Sequence, residues 1–308
     1  MSSILITGGT GLVGTRLAKL LSQNGHQVSL LSRSSGNSEH KTFIWNPEKK
    51  IFPIEALNNV DFIVHLAGAG IADKYWTKKY KEKIVRSRVD SANLIFEVLK
   101  NNPHQVKCFI SASATGYYGE SGETWVDETR PPADDFLGNT CKVWEKSAMQ
   151  FETLGMRVVI LRTGIVLAKE DGAVKPMALS VKLFAGAAFG DGEQYMPWIH
   201  LDDLCREYEF AITNQSLHGA YNAVAPSPVK NSFFIKTLGK VLHRPIWPIN
   251  IPGFVLKTIL GEKAVVVLQG QRVTNEKIRQ EGFAFKYNDV RVALEEVLKN
   301  EVEGSGIS

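Results

Sequence analysis

The chain has 308 residues, of which 44% are hydrophobic and 22% are charged, and its formal net charge at neutral pH is +4. This composition is typical of a globular protein with a substantial core, built as one large α/β unit or as two closely joined domains. The small net charge is not the clustered basic face that nucleic-acid binding requires, so we predict no nucleic-acid partner.

The three cysteines, Cys108, Cys141 and Cys205, are scattered and odd in number, which fits a reducing compartment better than a disulfide framework. No cysteine lies near a histidine at the spacing of metal ligands, and the sequence has no His-Glu-x-x-His motif. No apolar run reaches the length of a membrane span, and the chain enters its first strand without a signal peptide. We expect a cytoplasmic protein with no metal site and no membrane partner.

Three glycines spaced three apart follow the first apolar run at 4–6, and a helical pattern continues from them to Asn24. Glycines let backbone N–H groups approach a phosphate, and the N-terminus of the helix adds further donors and a positive dipole. This order of strand, glycines and helix is typical of a dinucleotide-binding turn, although an ordinary βα turn is the alternative. The predicted cofactor-binding residues of the turn are Gly8, Thr10, Gly11, Leu12, Val13 and Gly14.

The second predicted strand, at 27–32, ends in Ser32, Arg33 and Ser34, with no acidic residue before Glu39. A fold that prefers NAD places Asp or Glu here to bind the 2′-hydroxyl of the adenosine ribose. A guanidinium between two hydroxyls suits a 2′-phosphate instead, because it forms charge-assisted hydrogen bonds. We therefore predict NADP(H) as the cofactor, while a solvated surface arginine is the alternative interpretation.

Strand-like and helix-like segments alternate through the first half of the chain. Further strands are predicted at 42–45, 62–66, 107–111 and 157–161, with helices at 77–99 and 136–154. Short buried strands that alternate with helices predict an α/β fold, with a doubly wound parallel sheet of the Rossmann type. Ligands bind at the carboxyl ends of such strands. The predicted cofactor site therefore includes Leu66, Ala67, Gly68, Thr163 and Val166.

The alternation loosens beyond Thr163, where Gly and Pro become frequent, and the pattern is mostly helical from Pro226 onward. We predict a dinucleotide-binding domain at 1–166, to which 199–225 return, and a smaller, mostly helical substrate domain formed by 167–198 and 226–303. The Gly- and Ser-rich tail at 304–308 is predicted to be disordered.

Four motifs lie at the ends of predicted strands: residues 7–14, 65–68 (His-Leu-Ala-Gly), 111–119 and 161–164 (Leu-Arg-Thr-Gly). They resemble the extended short-chain dehydrogenase/reductases, the superfamily of NAD(P)-dependent epimerases and dehydratases. Further motifs are similar to an atypical, uncharacterised epimerase-like branch, sometimes labelled as cell-division-inhibitor-like. Among them are 84–88, 197–203, 221–226 and 271–273. The resemblance covers the whole chain and implies a Rossmann-like domain with a small substrate domain.

This sequence departs from the superfamily at the catalytic Tyr-x-x-x-Lys, which the resemblance places on the helix after the serine-bearing strand. Alignment on Glu145 puts Leu137 at the position of the tyrosine and Cys141 at the position of the lysine. Lys142 is offset by one residue, which rotates a helical side chain by about 100°. A Tyr-x-x-x-Lys does occur at 75–79, but it precedes the serine strand, and we predict that it faces solvent.

The serine of the superfamily remains as Ser113, and two phenols follow it, Tyr117 and Tyr118. The resemblance implies that Ser113 polarises a substrate carbonyl, and either phenol could then supply the proton. The alternative interpretations are a serine that caps local backbone and two tyrosines that pack half-buried. The predicted catalytic residues are thus Ser113, Tyr117 and Tyr118.

The predicted helix at 77–99 is rich in cations, most of which a solvated helix face explains. The asparagine that active members often carry on this helix is Ser87 here, which the alignment places beside the cofactor. Lys83 lies one turn earlier and Arg88 lies next to it, so both are predicted phosphate contacts. Elsewhere, His65 is predicted to be a hydrogen-bonding linker, and Arg272 is predicted to bind an anionic substrate group or to form a structural ion pair.

The leading hypothesis is an NADP(H)-binding, epimerase-like oxidoreductase that acts on a small carbonyl or hydroxyl substrate. The competing hypothesis is a non-catalytic NADP(H)-responsive regulator that acts through a protein partner. The missing Tyr-x-x-x-Lys favours the regulator, whereas the retained serine and the substrate domain favour the enzyme.

Overall fold

The computed structural model describes residues 1–34, 38–169 and 172–303, with side chains through residue 299. The tail at 304–308, for which the sequence predicts disorder, lies outside the described residues. The strands are β1 (Ser3–Thr7), β2 (Gln27–Ser32), β3 (Lys41–Ile44), β4 (Phe62–His65), β5 (Cys108–Ala114), β6 (Trp125–Val126), β7 (Arg157–Thr163), β8 (Ile165–Leu167), β9 (Tyr195–Met196), β10 (Trp198–His200), β11 (Gly219–Ala223), β12 (Val229–Lys230) and β13 (Arg272–Val273). The α-helices are α1 (Leu12–Gln23), α2 (Lys78–Asn101), α3 (Phe136–Met149), α4 (Val174–Lys182), α5 (Leu201–Thr213), α6 (Asn231–Val241), α7 (Gly253–Leu260), α8 (Val265–Leu268), α9 (Glu276–Gln280) and α10 (Val290–Glu303).

A sheet of seven strands, within the described ranges, has the order β11-β7-β5-β4-β1-β2-β3. Strand β1 pairs in parallel with both β2 and β4, and Ile4, Leu5 and Ile6 are fully buried at its centre. The β2–β3 and β4–β5 pairs are also parallel. The strand order runs outward in both directions from β1, so the β1/β4 boundary is the switch point where such sheets bind ligands. The predicted Rossmann-type α/β fold is confirmed.

The described chain divides into two compact units. The first contains residues 1–117, 132–162 and 205–221, and the second contains 118–131, 163–204 and the described residues from 222 onward. The second unit thus includes 118–131, which the sequence assigns to the dinucleotide-binding domain. The predicted domain boundaries stay a prediction.

The core of the first unit is an apolar cluster that includes Leu5, Leu31 and Ile63 from three neighbouring strands. The rings of Phe109 and Phe151 stack within this cluster, with their centroids 3.7 Å apart. Because parallel strands are covered on both faces, their side chains are apolar in nearly continuous runs. This packing fixes the strand ends that carry the predicted cofactor residues.

The second unit has its own apolar core, which includes Trp198, Phe234, Leu238, Tyr287 and Leu294. Helices α6 and α10 supply most of these side chains, as the helical pattern after Pro226 predicts. Three small strand pairs, β8–β10, β9–β12 and β6–β13, also belong to this unit. The sequence does not predict most of these strands, because two or three residues are too few to show an alternating pattern.

None of the helices formed by the described residues is long and apolar enough to cross a membrane. The described part of the chain contains no group of three or more His, Cys, Asp or Glu side chains that could hold a metal ion. The cysteines Cys108, Cys141 and Cys205 are free and buried, so they form no disulfide.

Candidate functional site

The glycine turn after β1 requires its glycines for steric reasons. Gly8 has φ +68°, and a Cβ on it would lie 2.9 Å from the backbone carbonyl carbon of Leu66. A Cβ on Gly14 would lie 2.3 Å from the carbonyl oxygen of Gly8. Any larger residue at either position would therefore push the turn away from β4 or from α1.

The first backbone N–H groups of α1 donate to no side chain in the part of the chain that the structure describes. Its N-cap is Gly11, which makes no side-chain capping hydrogen bond, and the Gly11 N–H donates to the carbonyl of Gly8 at 3.0 Å. Thr10 and Gly11 are exposed, and Leu12 and Val13 are half-buried. The first N–H groups of a helix and its positive dipole together favour a phosphate, so this turn fits the pyrophosphate of a dinucleotide.

The end of β2 lies beside this turn, because Thr7 at the end of β1 is paired with Leu31. Ser32 is buried, and its Oγ accepts a weak hydrogen bond of 3.4 Å from the Ser34 N–H. Arg33 is exposed and makes no hydrogen bond or ion pair with any residue that the structure describes. Its guanidinium remains available to a ligand, as the predicted role requires.

A buried hydrogen-bond chain joins the ends of β1 and β4. Thr7 Oγ1 accepts from the N–H groups of Leu66 (3.2 Å) and Ala67 (3.1 Å) and lies 2.8 Å from His65 Nδ1. Ser91 Oγ donates to the carbonyl of Ser87 at 2.7 Å, so it accepts from His65 Nε2 at 3.1 Å. The proton of His65 is thereby assigned to Nε2, and Nδ1 accepts from Thr7. His65 is the predicted hydrogen-bonding linker.

We expect the stability of the fold to fall with acid because of His65. Burial lowers the pKa of His65 to about 4, whereas the unfolded chain binds the proton near the ordinary value of 6.5. The unfolded state binds more protons in this window, so acidification favours unfolding by up to about 3 kcal/mol. Urea unfolding at a series of pH values should show a smaller loss for His65→Gln than for the wild type. If the wild type and His65→Gln lose the same stability on acidification, His65 is not the group that makes stability depend on pH.

The loop after β4 is held by side chains of α2. Ser87 Oγ accepts from the Ala69 N–H at 2.9 Å and donates to the Ile84 carbonyl at 3.1 Å. Arg88 Nη1 donates to the carbonyls of Ala69 (3.0 Å) and Ile84 (2.8 Å). A Cβ on the exposed Gly68 would lie 3.0 Å from the Arg88 guanidinium carbon. Ser87 and Arg88 therefore position the loop of Leu66, Ala67 and Gly68.

This geometry gives Arg88 a positioning role. Its Nη1 is engaged by two backbone carbonyls, and its guanidinium carbon lies 4.8 Å from the ring centroid of Trp144. The phosphate contact of Arg88 stays a prediction. Lys83 is exposed on the same helix, so its phosphate contact stays a prediction.

Ser113 lies near the end of β5 and is bonded to a buried ion pair. Its Oγ donates to Glu145 Oε1 at 2.6 Å. Arg162 binds both carboxylate oxygens of Glu145, with Nε to Oε1 and Nη2 to Oε2 at 2.9 Å each. All three residues are at most 8% exposed. The bidentate ion pair fixes the carboxylate, and the carboxylate fixes the serine hydroxyl.

Tyr117 joins this group through Arg162, whose guanidinium carbon lies 3.6 Å from the centroid of the phenol ring. Tyr117 is half-buried. Burial raises the pKa of its phenol above the ordinary value of 10.0, although the charge of Arg162 opposes the shift. The phenol is therefore neutral at physiological pH and can donate a proton.

The catalytic role predicted for Tyr118 does not fit the structure. Tyr118 is 1% exposed, and its hydroxyl donates to Asn222 Oδ1 at 2.6 Å. Asn222 is in turn bound through its Nδ2 to the Thr274 carbonyl at 2.9 Å. Tyr118 is a core residue of the second unit, because its ring is enclosed and its hydroxyl is bound to a buried amide.

The α3 helix carries no Tyr-x-x-x-Lys, in agreement with the alignment. Cys141, at the position of the lysine, is buried, and burial raises the pKa of its thiol to about 12. Leu137, at the position of the tyrosine, lies against Gly116, on which a Cβ would be 3.3 Å from the Leu137 Cβ. Lys142 is exposed, so it does not replace the missing lysine. Tyr75 of the rejected motif is 63% exposed, as predicted.

Thr163 and Val166, the remaining predicted cofactor residues, lie in the second unit at the end of β7 and in β8. Both are half-buried, and Val166 is paired with Ile199 of β10. A Cβ on Gly164 between them would lie 2.4 Å from the Pro197 carbonyl oxygen, which keeps this turn close to β10. Their contact with a cofactor stays a prediction.

Arg272, for which the sequence left two roles open, is held by neighbours in the second unit. Its Nη1 donates to the Glu123 carbonyl at 3.1 Å, and it lies 3.7 Å from Glu123 Oε2. Its guanidinium carbon lies 4.4 Å from the Trp125 ring centroid and 5.0 Å from that of Tyr195. These contacts favour the structural ion pair.

The glycine turn at the switch point and the serine-bearing strand β5 define a dinucleotide-binding protein of the short-chain dehydrogenase/reductase type. The chain belongs to the NAD dependent epimerase/dehydratase family, whose sequence profile matches residues 4–223. A domain of unknown function, DUF1731, matches residues 251–297. Together with the departures on α3, these matches make the chain an atypical extended member, as the sequence predicts.

The relatives are similar over nearly the whole chain. An epimerase family protein of Staphylococcus aureus (strain NCTC 8325) is 37% identical over 305 residues, which are 97% of this chain and 100% of that protein. The epimerase family protein YfhF of Bacillus subtilis is 35% identical over 96% of this chain and 98% of its own length. The crystal structure of human epimerase family protein SDR39U1 (isoform 2) with NADPH is 30% identical, with a TM-score of 0.87, and the match covers 97% of this chain and 99% of the human chain.

Proposed function

We propose that this protein binds NADP(H) and acts as an epimerase-like oxidoreductase on a small carbonyl or hydroxyl substrate. The observation that carries the proposal is the exposed Arg33, which pairs with none of the described residues and lies beside the N-terminus of α1. A similar human protein has been solved with NADPH, which supports the same cofactor here. The relatives are epimerase family proteins, so the comparisons give no support to the regulatory alternative.

The residues present fit an NADP(H) molecule. Gly11 is exposed and has no Cβ to keep a phosphate from its backbone, and no side chain among the described residues caps the helix that follows. The N–H groups of Leu12 and Val13 would hold the pyrophosphate, and Ser32, Arg33 and Ser34 would hold the 2′-phosphate. When bound, the nicotinamide of NADP(H) donates or accepts a hydride.

Ser113 suits a substrate hydroxyl better than the carbonyl that the sequence predicts. A serine has one hydroxyl proton, and Glu145 accepts it at 2.6 Å. The lone pairs of Ser113 Oγ are then acceptors, which bind the proton of an alcohol. A carbonyl oxygen has no proton to donate, so it would require the serine to turn away from Glu145.

Tyr117 is the remaining candidate for proton transfer, because Tyr118 is enclosed. In the superfamily the lysine lowers the pKa of the catalytic tyrosine, but here burial raises the pKa of Tyr117. A neutral phenol of this kind is a poor base at neutral pH, so it donates a hydrogen bond to a substrate hydroxyl and transfers its proton only when a carbonyl is reduced. Ser113 as acceptor and Tyr117 as donor could therefore orient one polar substrate group.

Arg33→Ala tests the cofactor proposal. We expect the wild type to bind NADPH much more tightly than NADH, and we expect the variant to lose most of this difference. Loss of charge-assisted hydrogen bonds to a phosphate weakens NADPH binding by about 10-fold to 100-fold, with little effect on NADH. Isothermal titration calorimetry with each nucleotide measures both affinities.

Arg86→Ala is the matched control, since Arg86 is an exposed arginine that pairs only with Asp90 of its own helix among the described residues. It should leave both affinities unchanged. Equal binding of NADPH and NADH by the wild type, or an unchanged ratio in Arg33→Ala, would refute the role of Arg33.

The cytoplasmic location stays a prediction.

A further inference from the structure

The second unit exposes a group of large apolar side chains that the proposed function does not use. We call this group the apolar patch. The exposed fraction of each residue is between 56% and 72%. The patch consists of Leu179, Leu183, Phe184, Trp247, Ile249 and Phe254.

Backbone pairing brings the two chain segments of the patch together. The Trp247 N–H donates to the Gly186 carbonyl at 2.9 Å, and its indole Nε1 donates to the Phe184 carbonyl at 2.6 Å. Farther along, the Ile251 N–H donates to the Ala188 carbonyl at 2.8 Å. Phe184 and Trp247 are therefore neighbours, and Ile249 follows within the paired segment.

The size of the apolar patch indicates an interaction surface. Six large side chains that are more than half exposed present roughly 600 Å² of apolar area, if each exposes about 100 Å². A protein that stays free in solution rarely exposes so much contiguous apolar surface. Scattered exposed residues need no explanation, but Trp247 is hydrogen-bonded to Phe184 here. Leu179 and Leu183 precede Phe184 on and after α4, and Ile249 and Phe254 stand on either side of the paired Ile251.

The chain segments that carry the apolar patch have an excess of positive charge. Residues 172–193 and 231–268 carry seven Lys and Arg side chains against three acidic ones, an excess of four that equals the net charge of the whole chain. The cations are Lys175, Lys182, Lys236, Lys240, Arg244, Lys257 and Lys263. The rest of the chain is therefore neutral on balance, and the positive charge is concentrated in the segments that expose the apolar side chains.

The cations stand one helical turn from the apolar side chains. On α4, Lys175 and Leu179 are four residues apart, as are Leu179 and Leu183, so they share one face of the helix. On α7, Lys257 follows Phe254 by three residues. The Arg244 guanidinium carbon lies 5.3 Å from the Phe184 ring centroid. Apolar side chains can thus enter an apolar layer while the cations reach the charged groups above it.

We propose that the apolar patch docks this protein on an anionic membrane surface. Two copies of the chain would bring two positively charged surfaces together, which makes a homodimer through the patch unfavourable. Exposed Trp, Phe, Leu and Ile side chains next to Lys and Arg are the composition that binds the boundary between lipid headgroups and acyl chains. Docking of this kind needs no spanning helix, so the proposal departs from the expectation of no membrane partner, which rested on the lack of a membrane-spanning apolar run.

Vesicle flotation of the full chain tests the proposal. We expect the protein to float with vesicles that contain phosphatidylglycerol and phosphatidylcholine, and to float poorly with phosphatidylcholine alone. Leu183→Ser/Phe254→Ser should reduce binding to the anionic vesicles by at least about tenfold, because two buried apolar side chains are lost. Lys175→Gln/Lys257→Gln should weaken binding to the anionic vesicles by about fivefold for each cation removed. High salt should also weaken the binding of the wild type, because it screens the attraction between the cations and the lipid headgroups.

Ile44→Ser/Val292→Ser is the matched control, since both side chains are exposed apolar residues outside the patch. It should float like the wild type. Absence of vesicle binding by the folded wild type overturns the proposal, as does binding that the patch variants leave unchanged. Light scattering gives the remaining outcome: a dimer that Leu183→Ser/Phe254→Ser dissociates would assign the patch to a second copy and also overturn the proposal.

Discussion

Replacing Ser113 by alanine is expected to reduce turnover by about a hundredfold to a thousandfold, the range for removing one well-placed hydrogen-bonding group from an active site. The Ser113 hydroxyl donates to Glu145, which orients its lone pairs to accept a hydrogen bond from a substrate hydroxyl. NADPH affinity should be nearly unchanged, because the predicted phosphate contacts lie at β1 and β2. The measurement is the change in nicotinamide absorbance with a panel of hydroxyl and carbonyl compounds, beside calorimetric titration with NADPH.

Ser147→Ala is the control for this variant. Ser147 is also a buried serine, and its hydroxyl donates to the Trp144 carbonyl at 2.7 Å within α3. Ser147→Ala loses a neutral hydrogen bond, which costs about 1 kcal/mol of stability, and Ser113→Ala loses one to a carboxylate, which costs about 1.5–3 kcal/mol. Only Ser113→Ala should lose turnover. If Ser113→Ala keeps full turnover, the serine is not part of the catalytic site. If the wild type binds NADPH but turns over no compound of the panel, the result favours the non-catalytic NADP(H)-responsive regulator over the enzyme.

The glycine turn and the strands and helices of the first half of the chain could be predicted because their signals are local. The apolar run at 4–6 fills the buried centre of β1, and Gly8 and Gly14 stand where a Cβ would collide with backbone. The stop of α1 at Asn24 is equally local, since Gly25 adopts φ +82° there. In each case the residue type and its neighbours in sequence determine the structure.

The roles of Tyr117 and Tyr118 could not be separated from the sequence. They are adjacent residues at the end of a 3₁₀ turn, and neither shows a periodic pattern. The structure directs Tyr118 at Asn222, more than a hundred residues later, and places Tyr117 against Arg162. Only the tertiary fold determines which phenol is enclosed, because both partners are distant in sequence.

The sequence also missed how Ser113 is held. In the sequence, Glu145 is the residue on which α3 aligns with the superfamily, and Arg162 is part of the motif at 161–164. No pattern in the sequence indicates that either side chain contacts Ser113. Donor and acceptor counting on the folded chain makes that link, and it is the basis of the proposal that Ser113 accepts a hydrogen bond from a substrate hydroxyl. The sequence likewise missed how Arg88 is held, because its predicted phosphate contact depended on its helical position. Its long side chain bends back to the backbone, which spacing alone does not reveal.

Replacing Arg162 by methionine is expected to destabilise the fold by about 3–5 kcal/mol, the cost of leaving a buried charge without its partner. Glu145 would lose two hydrogen bonds of 2.9 Å and would keep only that from Ser113. Urea unfolding followed by circular dichroism measures the change. The double variant Arg162→Met/Glu145→Gln should recover a large part of the loss, because it removes the unpaired carboxylate.

Arg157→Met is the control for Arg162→Met, because it also removes an arginine from β7 but does not leave a buried carboxylate without its partner. Arg157 donates to the carbonyls of Leu217 (2.9 Å) and Ala211 (2.8 Å), so its removal leaves no buried charge behind, and its cost should be clearly smaller. If Arg157→Met and Arg162→Met are equally destabilising, or if the double variant recovers nothing, the ion pair does not fix the carboxylate. Ser113 would then be free to turn, and its assignment as an acceptor for a substrate hydroxyl would fail with it.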